Sequence, residues 1–258
     1  QMIYNYHLTF FFLIFLYLLI KLYLLVMKNL FYILLLSPLL FISSCEDDFE
    51  IIGCTDATAC NYDELHNQED GSCEYPEQGY DCNGNWNLKV GDLYGGGIVF
   101  YIDETGFNGL ISSIEDAGKF EWGCMTELGM FNTQIGSGYQ NSWDIVNNCF
   151  EDSTAASVAL AYVSGGYTDW FLPSKDELVE MYNTIGNGGP QGNIGGFEED
   201  EGFDVGGDWN TNYWSSSEYS NTGAWGVDFL SGNTYNGNSK ESPWRVRPIR
   251  CFGAFCSY

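Results

Sequence analysis

The cysteines are the residues of this chain with the most evident chemistry. The 258 residues include nine of them, and eight follow Cys45. An even number of cysteines is typical of exported proteins that form disulfide bonds in an oxidising compartment. Cys124 and Cys149 bracket a loop that one bond would close, and Cys251 and Cys256 suit a short structural disulfide. The disulfide candidates are Cys54, Cys60, Cys73, Cys82, Cys124, Cys149, Cys251 and Cys256.

Four of these cysteines fall in residues 53–85, a segment with eight carboxylates and no Lys or Arg. Its few aliphatic residues cannot form a core, so disulfides must hold it, and its four cysteines leave three pairings open. Asp56, Asp63 and Asp70 could offer oxygen ligands to calcium, although a regular D-x-D-x-D-G loop is absent. The alternative is a disulfide-bonded spacer without metal, with His66 as a surface residue.

Residues for the common catalytic mechanisms are missing. His7 and His66 are the only histidines, so residues 88–258 contain no histidine base for a serine or cysteine nucleophile. These residues also contain no G-x-x-x-x-G-K loop and no C-x-x-C pair. We therefore expect no enzyme activity, no catalytic residue and no cofactor or metal here.

The balance of charge restricts the partners. The chain carries 9 Lys and Arg against 35 Asp and Glu, a formal net charge of -26. Nucleic acid binding requires clustered basic residues, so we expect no nucleic acid partner. Such an acidic surface is typical of a soluble or salt-adapted protein and is compatible with calcium.

The N-terminal residues are predicted to direct export of the protein. Met27 and Lys28 precede an apolar run from Leu30 to Phe41, which ends in "FISSC". This order is typical of a signal peptide over residues 27–44, and the ending resembles the bacterial lipobox, in which Cys45 is acylated. Residues 1–26 are then upstream translation or, alternatively, a transmembrane helix. Residues 45–52 form an acidic tether resembling the surface-export signal of Bacteroidetes lipoproteins, so the chain would be attached to a membrane by lipid.

The elements that must position any site are short. "GGGIVFYID" predicts a buried strand, and "AASVALAYV" predicts a short helix. A clearer helix begins after Ser174, with Glu177 completing a capping box, and ends at Gly186. Asp176, Glu177 and Glu180 are expected on its solvated side. A long loop over residues 186–212, a strand in "AWGVDFL" and a closing strand in "RVRPIRCF" follow, with Pro248 suggesting an edge or a bulge. This order predicts an α+β fold.

Several motifs together identify a family. "VGDLYGGGIVFYID", "GLISS", "EWGC", "GYTDWFLPSKDELVEMY", "YWSSSEYSNTGAWGVDF" and "RVRPIR" occur in this order over residues 88–258. They resemble the Lcl C-terminal domain family (DUF1566), named after a collagen-like adhesin. The resemblance implies a C-type-lectin-like domain used in adhesion, as in the variable proteins of diversity-generating retroelements. Residues 53–85 resemble a cysteine repeat, G-C-T-D…D-G-S-C, of secreted Bacteroidetes proteins.

The resemblance directs attention to the polar segment from Asn233 to Trp244. We interpret it as a loop displayed between scaffold strands, because aromatic, Asn, Ser and Gly side chains are the mixture that antibody paratopes use. A plain exposed loop is the alternative. The calcium-lectin triplets E-P-N and W-N-D are absent, which argues against calcium-mediated sugar binding. The predicted ligand-binding surface comprises Tyr219, Asn221, Trp225, Asp228, Asn233, Tyr235, Asn236, Asn238, Lys240 and Trp244.

These observations predict a bacterial cell-surface or outer-membrane lipoprotein whose lectin-like domain binds an extracellular protein or carbohydrate. The alternative is a structural or interaction protein of the envelope without a small-ligand site. A third possibility is a cysteine-dependent enzyme similar to the formylglycine-generating enzymes, with Cys251 and Cys256 as the reactive pair.

The anchor can be tested directly. Mass spectrometry of the mature protein from its native host should find an acylated Cys45 as the first residue and no peptide from residues 1–44. The reason is that cleavage before the lipobox cysteine removes the signal peptide. An intact N-terminus upstream of Met27 would contradict the anchor and support the transmembrane alternative.

Overall fold

A computed structural model describes residues 15–28, 49–200 and 210–256. The chain divides into two compact units, Gln1–Ala57 with Asn61–Cys73, and Thr58–Cys60 with Glu74–Tyr258. Helix α1, residues 15–28, is exposed along its whole length. Within the described ranges, no helix combines the length and the apolar character that crossing a bilayer requires. Cys45 and most of the predicted signal peptide lie outside these ranges.

The disulfide bonds follow the predicted set of cysteines. The first unit contains Cys54–Cys73 and the second contains Cys60–Cys82, which resolves the pairing that the sequence left open. The predicted bonds Cys124–Cys149 and Cys251–Cys256 are both present. Disulfides persist mainly in oxidising compartments, so these bonds indicate an extracellular or surface environment.

Among its described residues, the second unit contains two sheets and three short helices, in agreement with the predicted α+β class. The first sheet has the order β1-β2-β3-β9 and is antiparallel throughout. The second has the order β4-β8-β5-β6-β7, in which only the β5–β8 pair is parallel. The strands are β1 Leu93–Tyr94, β2 Gly97–Ile102, β3 Gly109–Ser113, β4 Gly118–Phe120, β5 Asn212–Glu218, β6 Gly223–Asp228, β7 Thr234–Ser239, β8 Trp244–Val246 and β9 Ile249–Phe252. The helices are α2 Gly138–Asn148, α3 Ala155–Leu160 and α4 Lys175–Ile185.

Large aromatic side chains fill the core. Trp122, Trp170 and Trp214 are completely buried. Trp214 stacks on Trp244 with ring centroids 4.2 Å apart, and both belong to a cluster that also contains Trp122. Burying an aromatic ring removes a large apolar area from water, so these side chains contribute strongly to the stability of a unit with short strands.

The closing strand differs from its prediction. "RVRPIRCF" forms two strands, β8 and β9, which belong to different sheets. The break falls at Arg247-Pro248, because the φ angle of proline is fixed and proline has no N–H for a sheet hydrogen bond. The carbonyl of Pro248 accepts a hydrogen bond from the N–H of Ser113 instead. Pro248 therefore marks the crossing between the two sheets, and not an edge or a bulge of one strand.

Helix α4 confirms the capping box and corrects the position of Glu177. The side chain of Ser174 accepts from the N–H of Glu177, and the Glu177 carboxylate accepts from the N–H of Ser174. The expectation that Glu177 is solvated was wrong, because its side chain is fully buried and also accepts from the N–H of Gly136. Burial raises the pKa of Glu177 to about 7, although the backbone donors oppose this shift.

This shift predicts a pH-dependent stability. The pKa of Glu177 is higher in the folded chain than the usual value of 4.5 for a glutamate, so its contribution to stability is complete below pH 4.5. The contribution is then lost as the pH rises to about 7. Between pH 4.5 and about pH 7, the free energy of unfolding measured with urea should change less with pH for Glu177→Gln than for the unchanged protein. Glu104→Gln, at an exposed position, is the control and should leave the profile unchanged. An identical slope in Glu177→Gln would contradict the assignment.

Candidate ligand-binding surface

Half of the predicted display loop is a strand. Residues Thr234–Ser239 form β7, which pairs with β6 and is an edge strand of its sheet. The sequence suggested a loop because Asn and Gly are depleted in strands. Pairing with β6 overrides that preference, and Gly237, with φ of 68°, lies beside an irregularity in the register. The segment is thus held by backbone hydrogen bonds along one edge.

The ten predicted site residues fall into three groups by burial. Tyr219, Asn221, Asn233 and Asn236 are exposed, whereas Trp225, Asp228, Tyr235 and Asn238 are half-buried. Lys240 and Trp244 are buried, so the prediction that they belong to an exposed surface was wrong. We use the term display surface for Tyr219, Asn221, Trp225, Asn233 and Asn236.

An aromatic pair is the most prominent part of the display surface. The rings of Tyr219 and Trp225 meet edge to face with centroids 5.5 Å apart. Tyr219 is 48% exposed, and the ammonium group of Lys175 lies 5.2 Å from the Trp225 ring. Large rings with few rotatable bonds can bind a partner at a low cost in entropy. Lys175 was not among the predicted site residues, since it lies 50 residues before Trp225 on a different element.

Asp228 and Tyr235 stabilise the backbone next to the display surface. The Asp228 carboxylate accepts hydrogen bonds from the hydroxyls of Thr211 and Ser231 and from the N–H of Leu230, which fixes the turn between β6 and β7. Tyr235 packs against the cluster that contains Trp214. Both side chains therefore hold the start of β7 in place.

Lys240 is buried because its charge is fully paired. Its ammonium group contacts the carboxylate of Glu218, and both side chains have no exposed area. It also donates to the carbonyls of Cys124 and Thr126, at 3.3 and 2.8 Å, and lies 4.5 Å from the ring of Trp122. Three acceptors match the three N–H bonds of an ammonium group, which offsets the loss of its hydration.

Glu218 connects this ion pair to a distant loop. Its carboxylate accepts from the N–H groups of Leu128 and Gly129, at 2.9 and 2.6 Å. The residue was not among the predicted site residues, because nothing local in "YWSSSE" indicates a partner 22 positions later. The Lys240–Glu218 pair therefore joins the end of β5, the end of β7 and the loop that begins at Cys124.

The arginines of "RVRPIR" also serve the scaffold. Arg245 and Arg247 both form ion pairs with Asp116, at 3.0 and 2.6 Å. Arg250 pairs with Asp169 at 2.8 Å, and its guanidinium lies 3.8 Å from the centre of the Tyr167 ring. These contacts link the two strands on either side of Pro248 to residues far away in the sequence.

Two of the three candidate calcium ligands, Asp63 and Asp70, take part in local hydrogen bonds. The carboxylates of Asp63 and Asp70 each accept from the N–H two residues further on, which stabilises a local turn. In the described part of the chain, the two groups of three possible ligands that converge each contain a disulfide pair, Cys54–Cys73 or Cys124–Cys149. Calcium binding in residues 53–85 stays a prediction, as do the expected absences of enzyme activity and cofactor.

The burial of Lys240 leads to a test on stability. Lys240→Met should lower the free energy of unfolding by about 3–5 kcal/mol, because it leaves the Glu218 carboxylate buried without its cation. The double variant Lys240→Met/Glu218→Gln should lose less, since no unpaired charge remains. Asn236→Ala, on the display surface, should change stability by no more than about 0.5 kcal/mol. Urea denaturation of the three variants checks these values, and equal losses for Lys240→Met and Asn236→Ala would contradict the scaffold role.

One of three comparisons with known proteins, the match to a family model, agrees with the motif-based resemblance. No curated protein sequence matches this chain. A fimbrial protein from Bacteroides ovatus is similar in structure with a TM-score of 0.37 and 17% sequence identity, over 56% of this chain and 36% of that one. This chain therefore spans little more than a third of the fimbrial protein. Residues 117–250, more than half of the 258, match the model of the Lcl C-terminal domain. The chain belongs to the Lcl C-terminal domain family.

Proposed function

We propose that this protein is a lipid-anchored bacterial surface protein that binds an extracellular protein or carbohydrate through the display surface. Its family, named after the domain of an adhesin, fits a surface role, and its four disulfides fit the same location. Cys45 is the attachment point in this proposal. Lipid anchoring and ligand binding by the second unit are the two steps of this proposal that go beyond the family assignment.

One observation supports the binding role above the others. Tyr219, 48% exposed, lies edge to face with Trp225 beside a strand whose outward side chains are polar and uncharged. Aromatic residues dominate the energy of many interfaces, while Asn and Ser supply hydrogen bonds that adapt to the partner. The combination is more typical of a recognition surface than of a merely soluble one.

The sheet that contains β7 should tolerate substitutions in the display surface. Asn233 and Asn236 are exposed, whereas the ends of β7 are held by the Asp228 turn and by buried Lys240. Substitution of the exposed residues removes little buried area, so it should change recognition without unfolding the sheet. A binding protein needs this separation if its specificity is to vary.

A binding array tests the proposal. Purified protein, labelled away from the display surface, is applied to immobilised glycans and to immobilised collagen, fibronectin, laminin and mucin. We expect binding to at least one of these probes. The combined variant Tyr219→Ser/Asn221→Ala/Asn236→Ala should lose that signal by at least about 10-fold, because aromatic anchors carry much of an interface's energy.

The control variant carries a comparable change elsewhere on the second unit. Phe107 is an exposed aromatic residue in the first sheet's β2–β3 loop, so Phe107→Ser should leave binding intact. Melting temperatures of all variants establish that each is folded. Loss of binding in the control alone, or equal binding by the display-surface variant and the unchanged protein, would refute the proposal.

A further inference from the structure

A second concave site lies apart from the display surface, in the cysteine-stabilised segment of the second unit. Residues 74–77, 80–82 and 84, together with Cys60, line a cavity of about 520 Å³. Its walls contain two tyrosine rings and three carboxylates, from Tyr75, Tyr80, Glu74, Glu77 and Asp81. The binding proposal for β5–β7 makes no use of these residues, so the cavity requires a separate explanation.

The tyrosines give the cavity aromatic faces that solvent can reach. Tyr75 is 58% exposed and Tyr80 is 42% exposed. Tyr80 is held in place by Trp86, whose ring meets it edge to face at 5.2 Å. The indole N–H of Trp86 donates to the carbonyl of Gly106 at 2.7 Å, which fixes Trp86 in turn. The face of an aromatic ring carries negative electrostatic potential and attracts cations.

The charged residues that line the cavity are all acidic. No Lys or Arg occurs between Lys28 and Lys89, so the segment that lines the cavity contains only acidic charges. Asp81 accepts from the N–H groups of Asn83 and Asn85, each at 2.8 Å. Hydrogen bonds from Asn85 lower the pKa of Asp81, so its carboxylate stays ionised. The cavity is therefore complementary to a positive ligand.

A disulfide bond and backbone hydrogen bonds stabilise the segment that lines the cavity. Cys60 and Cys82 form a disulfide at its border, and the N–H of Cys60 donates to the carbonyl of Glu74 at 2.7 Å. The N–H of Asp81 donates to the carbonyl of Asn85 at 2.8 Å. A preformed site loses less conformational freedom when it binds, which favours a ligand of modest size.

We propose that this cavity binds the guanidinium or ammonium group of a basic side chain presented by a partner polypeptide. The tyrosine faces attract the cation, and Glu74, Glu77 and Asp81 neutralise its charge. A bare metal ion fits less well, because in the described residues these carboxylates do not form one of the converging groups of three ligands. A chain with a net charge of -26 also attracts basic partners over a distance.

The experiment compares two probes of the same shape. N-acetyl-arginine methylamide is titrated into the full chain at low salt, and binding is followed by NMR shifts of residues 74–84. The citrulline analogue replaces the guanidinium by a neutral urea group. We expect the arginine probe to bind about 10-fold more tightly, because only it carries the charge. Added salt should weaken it, since exposed charges are screened.

Variants distinguish the two attractive elements. Glu77→Gln removes a carboxylate and Tyr75→Leu removes a ring, and each should weaken arginine binding about 2–5-fold. Glu104→Gln makes the same charge change at an exposed position outside the cavity and should have no effect. Equal binding of citrulline and arginine would overturn the cation assignment. Choline binding as tightly as the arginine probe would overturn the assignment to a polypeptide side chain. Neither result depends on the display surface.

Discussion

The buried ion pair of Lys240 and Glu218 is the constraint on which the second sheet depends. Removing both charges from water is costly, and attraction between them offsets that cost only when the remaining donors and acceptors are satisfied. Here the ammonium group reaches two carbonyls besides the carboxylate, and the carboxylate reaches backbone N–H groups of residues 128 and 129. All of these partners must be in place together. The pair thus couples the ends of β5 and β7 to the loop that the Cys124–Cys149 disulfide closes.

This coupling explains how a polar, glycine-containing strand can be ordered at the edge of a sheet. β7 begins after a turn fixed by Asp228 and is followed directly by Lys240, so both of its ends are determined by buried or hydrogen-bonded groups. The residues between them need not contribute much to the core. An edge strand of uncharged polar residues would be weakly specified on its own, since its preference for strand is low. The groups at its two ends therefore set the register of β7, and its exposed side chains remain available for recognition.

The sequence predicts those features that local patterns determine. The Ser174 and Glu177 capping box locates the start of α4, because both hydrogen bonds join residues three positions apart. The same pattern does not reveal that Glu177 is buried, since the donor Gly136 lies 41 residues away. Lys240 was misplaced for a similar reason: an isolated lysine in a polar run is usually exposed, and its partners lie far from it in sequence. Tyr219 was predicted as an aromatic contact of the surface that the family resemblance indicated, and its side chain is exposed.

The distribution of charge connects the scaffold to the surface. Seven Lys and Arg residues follow Lys28, and five of them, Lys175, Lys240, Arg245, Arg247 and Arg250, form ion pairs at buried or partly buried positions. The 35 Asp and Glu residues, all of which follow Lys28, outnumber these seven basic residues five to one. The surface must then be strongly negative whatever the details of its loops. A positive partner is attracted to such a surface in general, and a concave site with aromatic walls and only acidic charges gives that attraction a specific location.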